Sequence, residues 1–230
     1  MTTMTAEPEV TAEPIAAHVP ETLGEFLEIL GDVDPADVLR EPLPGTGTEA
    51  DLLKLEHKLF ELIDGTLVRK SMGVHESIFA GIIAALLSAW NDEVNAGVVT
   101  VPDGGFRLAP GLVRLPDVSF TAWKSLPSDT AHLQPVADYC PDLAIEVVSV
   151  SDRPGARQRK LREYFAHGTR IVWVFDPKIC VVTVHTSAAA STMLIRTDTL
   201  DGGELLPGFS LPLSRVFDRP QLNPRPTVGA

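Results

Sequence analysis

A carboxylate inside an apolar strand is the first residue of this chain that calls for chemistry. In "PDLAIEVVS", Leu143, Ala144, Ile145, Val147 and Val148 suit a largely buried strand, and Glu146 stands among them. An ionised glutamate left unpaired there costs several kcal/mol, so a cation must meet it. Side chains alternate along a strand, which puts Asp142, Ala144, Glu146 and Val148 on one face, with Asp142 about 13 Å from Glu146. Those two cannot share one ion directly. Asp117, in "RLPDVSF", is the better partner: if its strand pairs beside that of Glu146, opposite side chains start only about 5 Å apart. Two carboxylates that close repel unless a cation intervenes.

A hard divalent cation answers that repulsion, because magnesium prefers oxygen ligands, keeps several waters and takes one or two protein carboxylates. Lys160 lies on the helix that follows the strand, near the apolar face of Leu161, Tyr164 and Phe165, from where its ammonium can turn back toward the metal. A metal, a lysine and a metal-bound water can attack a phosphodiester. The ion polarises a phosphoryl oxygen and acidifies the water, and the ammonium stabilises developing charge. Bland readings stand beside these. Asp117 after Pro116 can cap a turn, and Lys160 in "RQRKLRE" can be one charge on a solvated helix face.

These residues need a sheet and a helix behind them. "FELIDGTLVRK" reads as two short strands joined at Asp64-Gly65, a pair that tolerates positive φ in a tight hairpin. A long helix follows in "VHESIFAGIIAALLSAWNDEV", with Ile78, Ile82, Leu86 and Trp90 in one stripe and Phe79, Ile83 and Leu87 in the next, stopping near Gly97. "GFRLAPGLVRLPDVSFTAW" gives short extended pieces around a Pro110-Gly111 turn. After the Glu146 strand, Ser151 or Asp152 can cap a helix that ends at Gly168. "RIVWVF" and "CVVTVHT" then flank a turn at Asp176-Pro177. The expectation is an α/β fold with a central mixed sheet flanked by helices.

Composition narrows the setting. The 230 residues carry a net charge of −12, but residues 1 to 50 hold eleven acids against one base, Arg40, and residues 51 to 230 hold twenty against eighteen. The acidity therefore belongs mostly to the N-terminal stretch, which leaves a nucleic-acid partner open. Residues 1–47 read as an acidic, Pro-rich arm with one short helix at "LGEFLEIL", residues 48–218 as the domain, and residues 219–230 as a Pro-rich tail. Cys140 and Cys180 lack metal-ligand spacing and read as packed thiols. No membrane span is expected, since "SIFAGIIAALLSAW" is shorter than the roughly 20 residues a bilayer requires. Glu7, Glu9 and Glu13 stand where a signal peptide wants positive charge, so a cytoplasmic location is the default expectation. His57, His132, His167 and His185 show no zinc spacing and receive no role.

"LPDVSF", "PDLAIEVVS", Lys160 spaced with Tyr164 and Gly168, "IVWVFDP" and "LLPGFSLPL" together resemble the Uma-two endonucleases, within the PD-(D/E)XK restriction-endonuclease-like superfamily. "FELIDGTLV" followed by His75 matches the start of that pattern, and the likeness spans roughly Lys54 to Phe217. It implies a restriction-endonuclease-like fold, metal ligands at Asp117 and Glu146, a catalytic lysine at Lys160, an accessory acid at Glu61 and a nearby His75. One departure stands out: the superfamily's Glu-x-Lys position holds Val148, a lysine displaced onto the helix being the family's answer. From the residues alone, Glu61 can equally be an edge residue facing water, and His75 a helix-start or core histidine.

The expected activity is that of a magnesium- or manganese-dependent endonuclease with DNA as substrate, and a homodimer is compatible with it. Two other classes stay open: a non-catalytic nucleic-acid-binding or assembly module on the same fold, and a metal-dependent hydrolase of a smaller phosphoester. The basic cluster Arg153, Arg157, Arg159, Lys160 and Arg162 suits a phosphate backbone. Aromatics are too few and too scattered to signal a stacking groove.

Overall fold

Asp64 and Gly65 both take positive φ, 46° and 69°, and so close a two-residue turn between β1 (Phe60–Ile63) and β2 (Thr66–Arg69) as the sequence predicts. The structure is a computed structural model that describes residues 20–55, 59–70, 73–102 and 104–219. His57 and the tail from residue 220 onward lie outside them.

Before the hairpin come α1 (Leu23–Ile29) and α2 (Glu49–Leu53). After it follow α3 (Val74–Val94), β3 (Gly97–Thr100), β4 (Gly105–Ala109), β5 (Leu112–Arg114), β6 (Val118–Ala122), β7 (Val136–Ala137) and β8 (Leu143–Val147). The chain continues through α4 (Pro154–Ala166), β9 (Ile171–Asp176), β10 (Val181–His185), β11 (Ser191–Ile195), β12 (Thr199–Asp201), β13 (Ser210–Pro212) and α5 (Ser214–Phe217). The strands make a five-stranded sheet ordered β2-β1-β5-β4-β7, a six-stranded sheet ordered β11-β10-β9-β8-β6-β3, and the pair β12-β13. Pairings β4-β7 and β8-β9 are parallel and the others antiparallel, so both larger sheets are mixed.

Alternation along β8 decides which side each residue serves. Leu143, Ile145 and Val147 enter a core with Phe79, Ile83 and Leu87 of α3 and with Trp173 and Phe175 of β9. Ala144 and Val148 face the other way, toward Leu161 and Tyr164 of α4 and toward Ile63 and Val68 of the hairpin. Glu146 belongs to this second face. At 21 residues, with an 18-residue stretch of mean hydropathy 1.2, α3 is long and apolar enough to cross a membrane by length and composition alone. Here it is a core helix whose apolar side lies on the six-stranded sheet.

Three local expectations are corrected. α3 stops at Asn95, which takes the left-handed conformation at φ 47°; Asn91 then caps the exit by accepting from the Ala96 and Gly97 amides. Gly97 instead opens β3, where a side chain would run into β6. α4 starts with Pro154 at its first position and Arg153 as N-cap, while Asp152 accepts from the Ser149 amide at 3.1 Å.

The third correction concerns the arm. Of residues 1–47, those described from Leu30 onward belong to the domain. Leu30 is 1% exposed and packs with Leu161 and Tyr164. Val38 bridges Val68, and the Leu39 amide donates to Leu67 O at 2.8 Å. Gly31, at φ 89°, lies so close to α4 that a Cβ would sit 2.8 Å from Ala156 Cα. Burial of Leu30 and strand-like bonding to β2 attach this segment despite its acidity.

Candidate active site

β6 and β8 pair antiparallel with Val118 opposite Ile145, and one step further that register sets Asp117 opposite Glu146. Asp117 Oδ2 accepts from the Val147 amide at 2.7 Å, and the Asp117 amide donates to Ile145 O at 3.0 Å. The side chain is thereby locked onto the neighbouring strand, 5% exposed.

α4 supplies the cation. Lys160, Glu163 and Tyr164 sit three and four residues apart, on one helical face. Lys160 Nζ lies 3.2 Å from Glu146 Oε2 and 3.2 Å from Glu61 Oε1, and the Tyr164 hydroxyl donates to Glu146 Oε1 at 2.8 Å. Both oxygens of Glu146 are therefore oriented by α4. β1 contributes Glu61, which accepts from Arg114 Nη1 at 2.7 Å and from the Leu115 amide at 3.1 Å. Arg114 in turn reaches Glu163 from Nε at 2.7 Å, and Glu163 also takes Arg159 Nε at 2.6 Å.

Electrostatics follow from burial against these partners. Burial pushes the Glu146 carboxyl up, and Asp117 and Glu61 add to it, while Lys160 and Lys70 only partly offset the rise. Burial works against Glu61 as well, but there Lys160, Arg114 and Lys70 win and hold it at about 2. Lys160, despite burial, is raised by Glu146 and Glu61 and stays an ammonium. Burial, reinforced by Glu146 and Glu61, raises the Tyr164 hydroxyl well above the usual range, so it remains a donor.

These groups line a cavity of about 130 Å³, with Val148, Lys70, Arg69, Arg153 and Arg157 along its walls. The N-terminal segment closes one side with Leu30, Val33, Asp34 and Asp37. Asp34 lies 3.4 Å from Arg153 and Asp37 4.0 Å from Arg69.

Of the residues singled out in the sequence, the structure brings Glu61, Asp117, Glu146 and Lys160 together. His75 stands apart: it is exposed, its ring meets Phe79 edge-on at 5.0 Å, and its neighbour Glu76 lines the cavity in its place. Asp142 is used elsewhere, accepting from the Ala122 amide at 2.9 Å and Ser125 Oγ at 3.0 Å. In the basic cluster, Arg153 and Arg157 reach the cavity, whereas Arg159 is committed to Glu163, Asp64 and the Ile29 carbonyl. Sequence reasoning missed Lys70, Arg114 and Glu163. Alternation held a signal for the first: Val68 is the register partner of Glu61, and Lys70 lies two residues beyond it.

The donors at this site are carboxylate oxygens, which suits a hard cation. Burial holds the Glu146 carboxyl raised even with Lys160 beside it. Among the described residues no group of three or more His, Cys, Asp or Glu is gathered for a metal. Asp117 and Glu146, opposite one another on β6 and β8, fit an ion that takes two protein carboxylates and keeps its waters.

A mixed α/β body with two carboxylates in register and a lysine over them is the restriction-endonuclease-like fold. A family profile described as "Putative restriction endonuclease" (Uma2) matches residues 50–214, and the chain belongs to that family. Among solved structures it is similar to a DUF820 protein of Anabaena variabilis. That protein is described as a "putative nuclease belonging to DUF820", and the likeness has a TM-score of 0.64 at 18% identity, covering 74% of this chain and 97% of the other. No curated protein matches the chain.

Proposed function

We propose that the chain is a metal-dependent endonuclease that hydrolyses phosphodiester bonds in DNA, with Asp117 and Glu146 holding Mg2+ or Mn2+ and Lys160 as the catalytic lysine. The observation that carries this reading is the position of Lys160 Nζ, 3.2 Å from both Glu146 and Glu61, in the cavity that the paired carboxylates also line. Membership of a nuclease family supports it.

A divalent cation, when bound, polarises a phosphoryl oxygen and acidifies its water. The protein's own groups do the rest. Lys160 is held charged by two carboxylates, so it serves as an electrostatic donor to a developing negative charge and not as a base. Tyr164 orients Glu146. Glu61 is an accessory acid whose Oε1 positions Lys160, and Arg114 holds Glu61 by its other oxygen. Arg153 and Arg157, along the cavity wall, meet the flanking phosphates. His75 keeps only a place near the start of α3, away from these contacts.

Incubating the purified protein with plasmid and with oligonucleotides in Mg2+, Mn2+ or EDTA tests the proposal. Cleavage that requires the metal supports it; DNA binding without cleavage under either ion selects the non-catalytic module.

A further inference from the structure

We infer that Lys70 is the internal counter-ion of this site: its ammonium occupies the cation's place at Asp117, and a divalent ion binds by displacing it. The inference rests on the reading of Asp117 as a metal ligand.

Lys70 Nζ lies 2.7 Å from Asp117 Oδ1, and the two side chains are 8% and 5% exposed. Nζ also donates to the Leu115 carbonyl. The other oxygen, Oδ2, is engaged by the Val147 amide, so Oδ1 is the oxygen left for a new ligand, and Lys70 is on it. The charges of the cluster already balance. Lys70, Lys160 and Arg114 stand against Glu61, Asp117 and Glu146, while Glu163 and Arg159 pair on the far side of Arg114. A dication entering this partly buried set repels a nearby ammonium strongly, and one positive group must yield.

The three cations differ in how they are held. Arg114 is fixed between Glu61 and Glu163. Lys160 is shared by Glu61 and Glu146. All three line the cavity, but Lys70 alone is held by a single carboxylate, with one carbonyl beside it, so it is the group whose release into the cavity breaks the fewest ion pairs. Its presence preserves the pairing of Asp117 before the metal arrives and weakens metal binding by the same exchange.

Side-chain ammonium groups held in hydrogen bonds can be followed by NMR in the full-length protein. The Lys70 ammonium, assigned through its own side-chain carbons, should give a protected signal without metal and lose it as Mg2+ is added. By calorimetry, Lys70→Met should bind Mg2+ more tightly than the parent by about tenfold or more. Lys70→Arg, which keeps the charge and can grip Asp117 with two N–H groups, should bind it more weakly. The NMR arm needs no variant and so survives misfolding of either. If Mg2+ binds the parent but not Glu146→Gln, and the Lys70 signal persists at saturation, the displacement is overturned while the metal site stands. If neither the parent nor Lys70→Met binds Mg2+, both fall. Binding by Lys70→Met alone supports the exchange.

Discussion

Asp117 stands across from Glu146 on the adjacent antiparallel strand, and its Oδ2 takes the amide of the next residue along, Val147, at 2.7 Å. The backbone thus fixes one proposed ligand relative to the other before any ion is present. Mg2+ or Mn2+ should then raise the melting temperature, since a ligand at a hundred times its Kd adds about 2.7 kcal/mol to the native state. Thermal denaturation of Glu146→Gln and Asp117→Asn should show no such shift. A full shift in either variant would place the ion elsewhere.

Val148 follows Glu146 by two residues, lines the same cavity and is half-buried. A lysine there would point toward the proposed ion. Lys160→Ala should slow cleavage by about 10²- to 10³-fold, the loss of a typical transition-state donor. Adding Val148→Lys should restore part of the rate, limited by the cost of a longer charged chain among Leu161 and Tyr164. Val148→Met should restore none. Single-turnover rates settle it, and an undiminished rate in Lys160→Ala would return that lysine to a purely structural role.

Glu61 predicts acid sensitivity. Its carboxyl lies at about 2 against an ordinary 4.5, so it contributes stability that is complete above pH 4.5 and lost as pH falls toward 2. The contribution is about 3 kcal/mol. Urea denaturation between pH 2 and 7 should show Glu61→Gln less stable than the parent at neutral pH, with a flatter acid limb. Glu146 acts in the opposite sense: its raised carboxyl favours the metal-free fold below pH 4.5, and that contribution is lost as pH rises through the raised value. An acid limb unchanged in Glu61→Gln would show that the Arg114 and Lys160 contacts do not govern it.

Leu30, 1% exposed against Leu161 and Tyr164, makes the segment before residue 48 part of the fold. Leu30→Ala should cost about 2–5 kcal/mol of unfolding free energy, and removal of residues 1–47 should lower the melting temperature markedly. Equal melting of the truncated and full chains would return residues 30–47 to the status of an appendage.

The legible parts of this fold were those that local chemistry dictates. Asp64-Gly65 announces its hairpin, and alternation around Glu146 points to Asp117 through a pairing that β6 and β8 adopt. Lys160 was ambiguous by spacing, because a charged residue on "RQRKLRE" reads as solvated until the sheet beneath the helix is known. The attachment of Leu30 was hidden for the same reason: acids and prolines around "LGEFLEIL" signal an arm, and only the packing of Leu30 with Ile63, Val68, Leu161 and Tyr164 shows where that apolar island goes. Lys70 and Arg114 pair with residues 47 and 53 positions away; alternation along β2 places Lys70 on the Glu61 face, but its partner Asp117, and both partners of Arg114, come from distant segments that no local pattern encodes.

The most direct test of the central claim is a crystal of the protein soaked in Mn2+, read by anomalous scattering at the manganese edge. The account predicts one peak coordinated by the carboxylates of Asp117 and Glu146, with Lys70 withdrawn from Asp117 and Lys160 still beside Glu146. A peak away from both carboxylates, or none at Mn2+ concentrations that support cleavage, would contradict it.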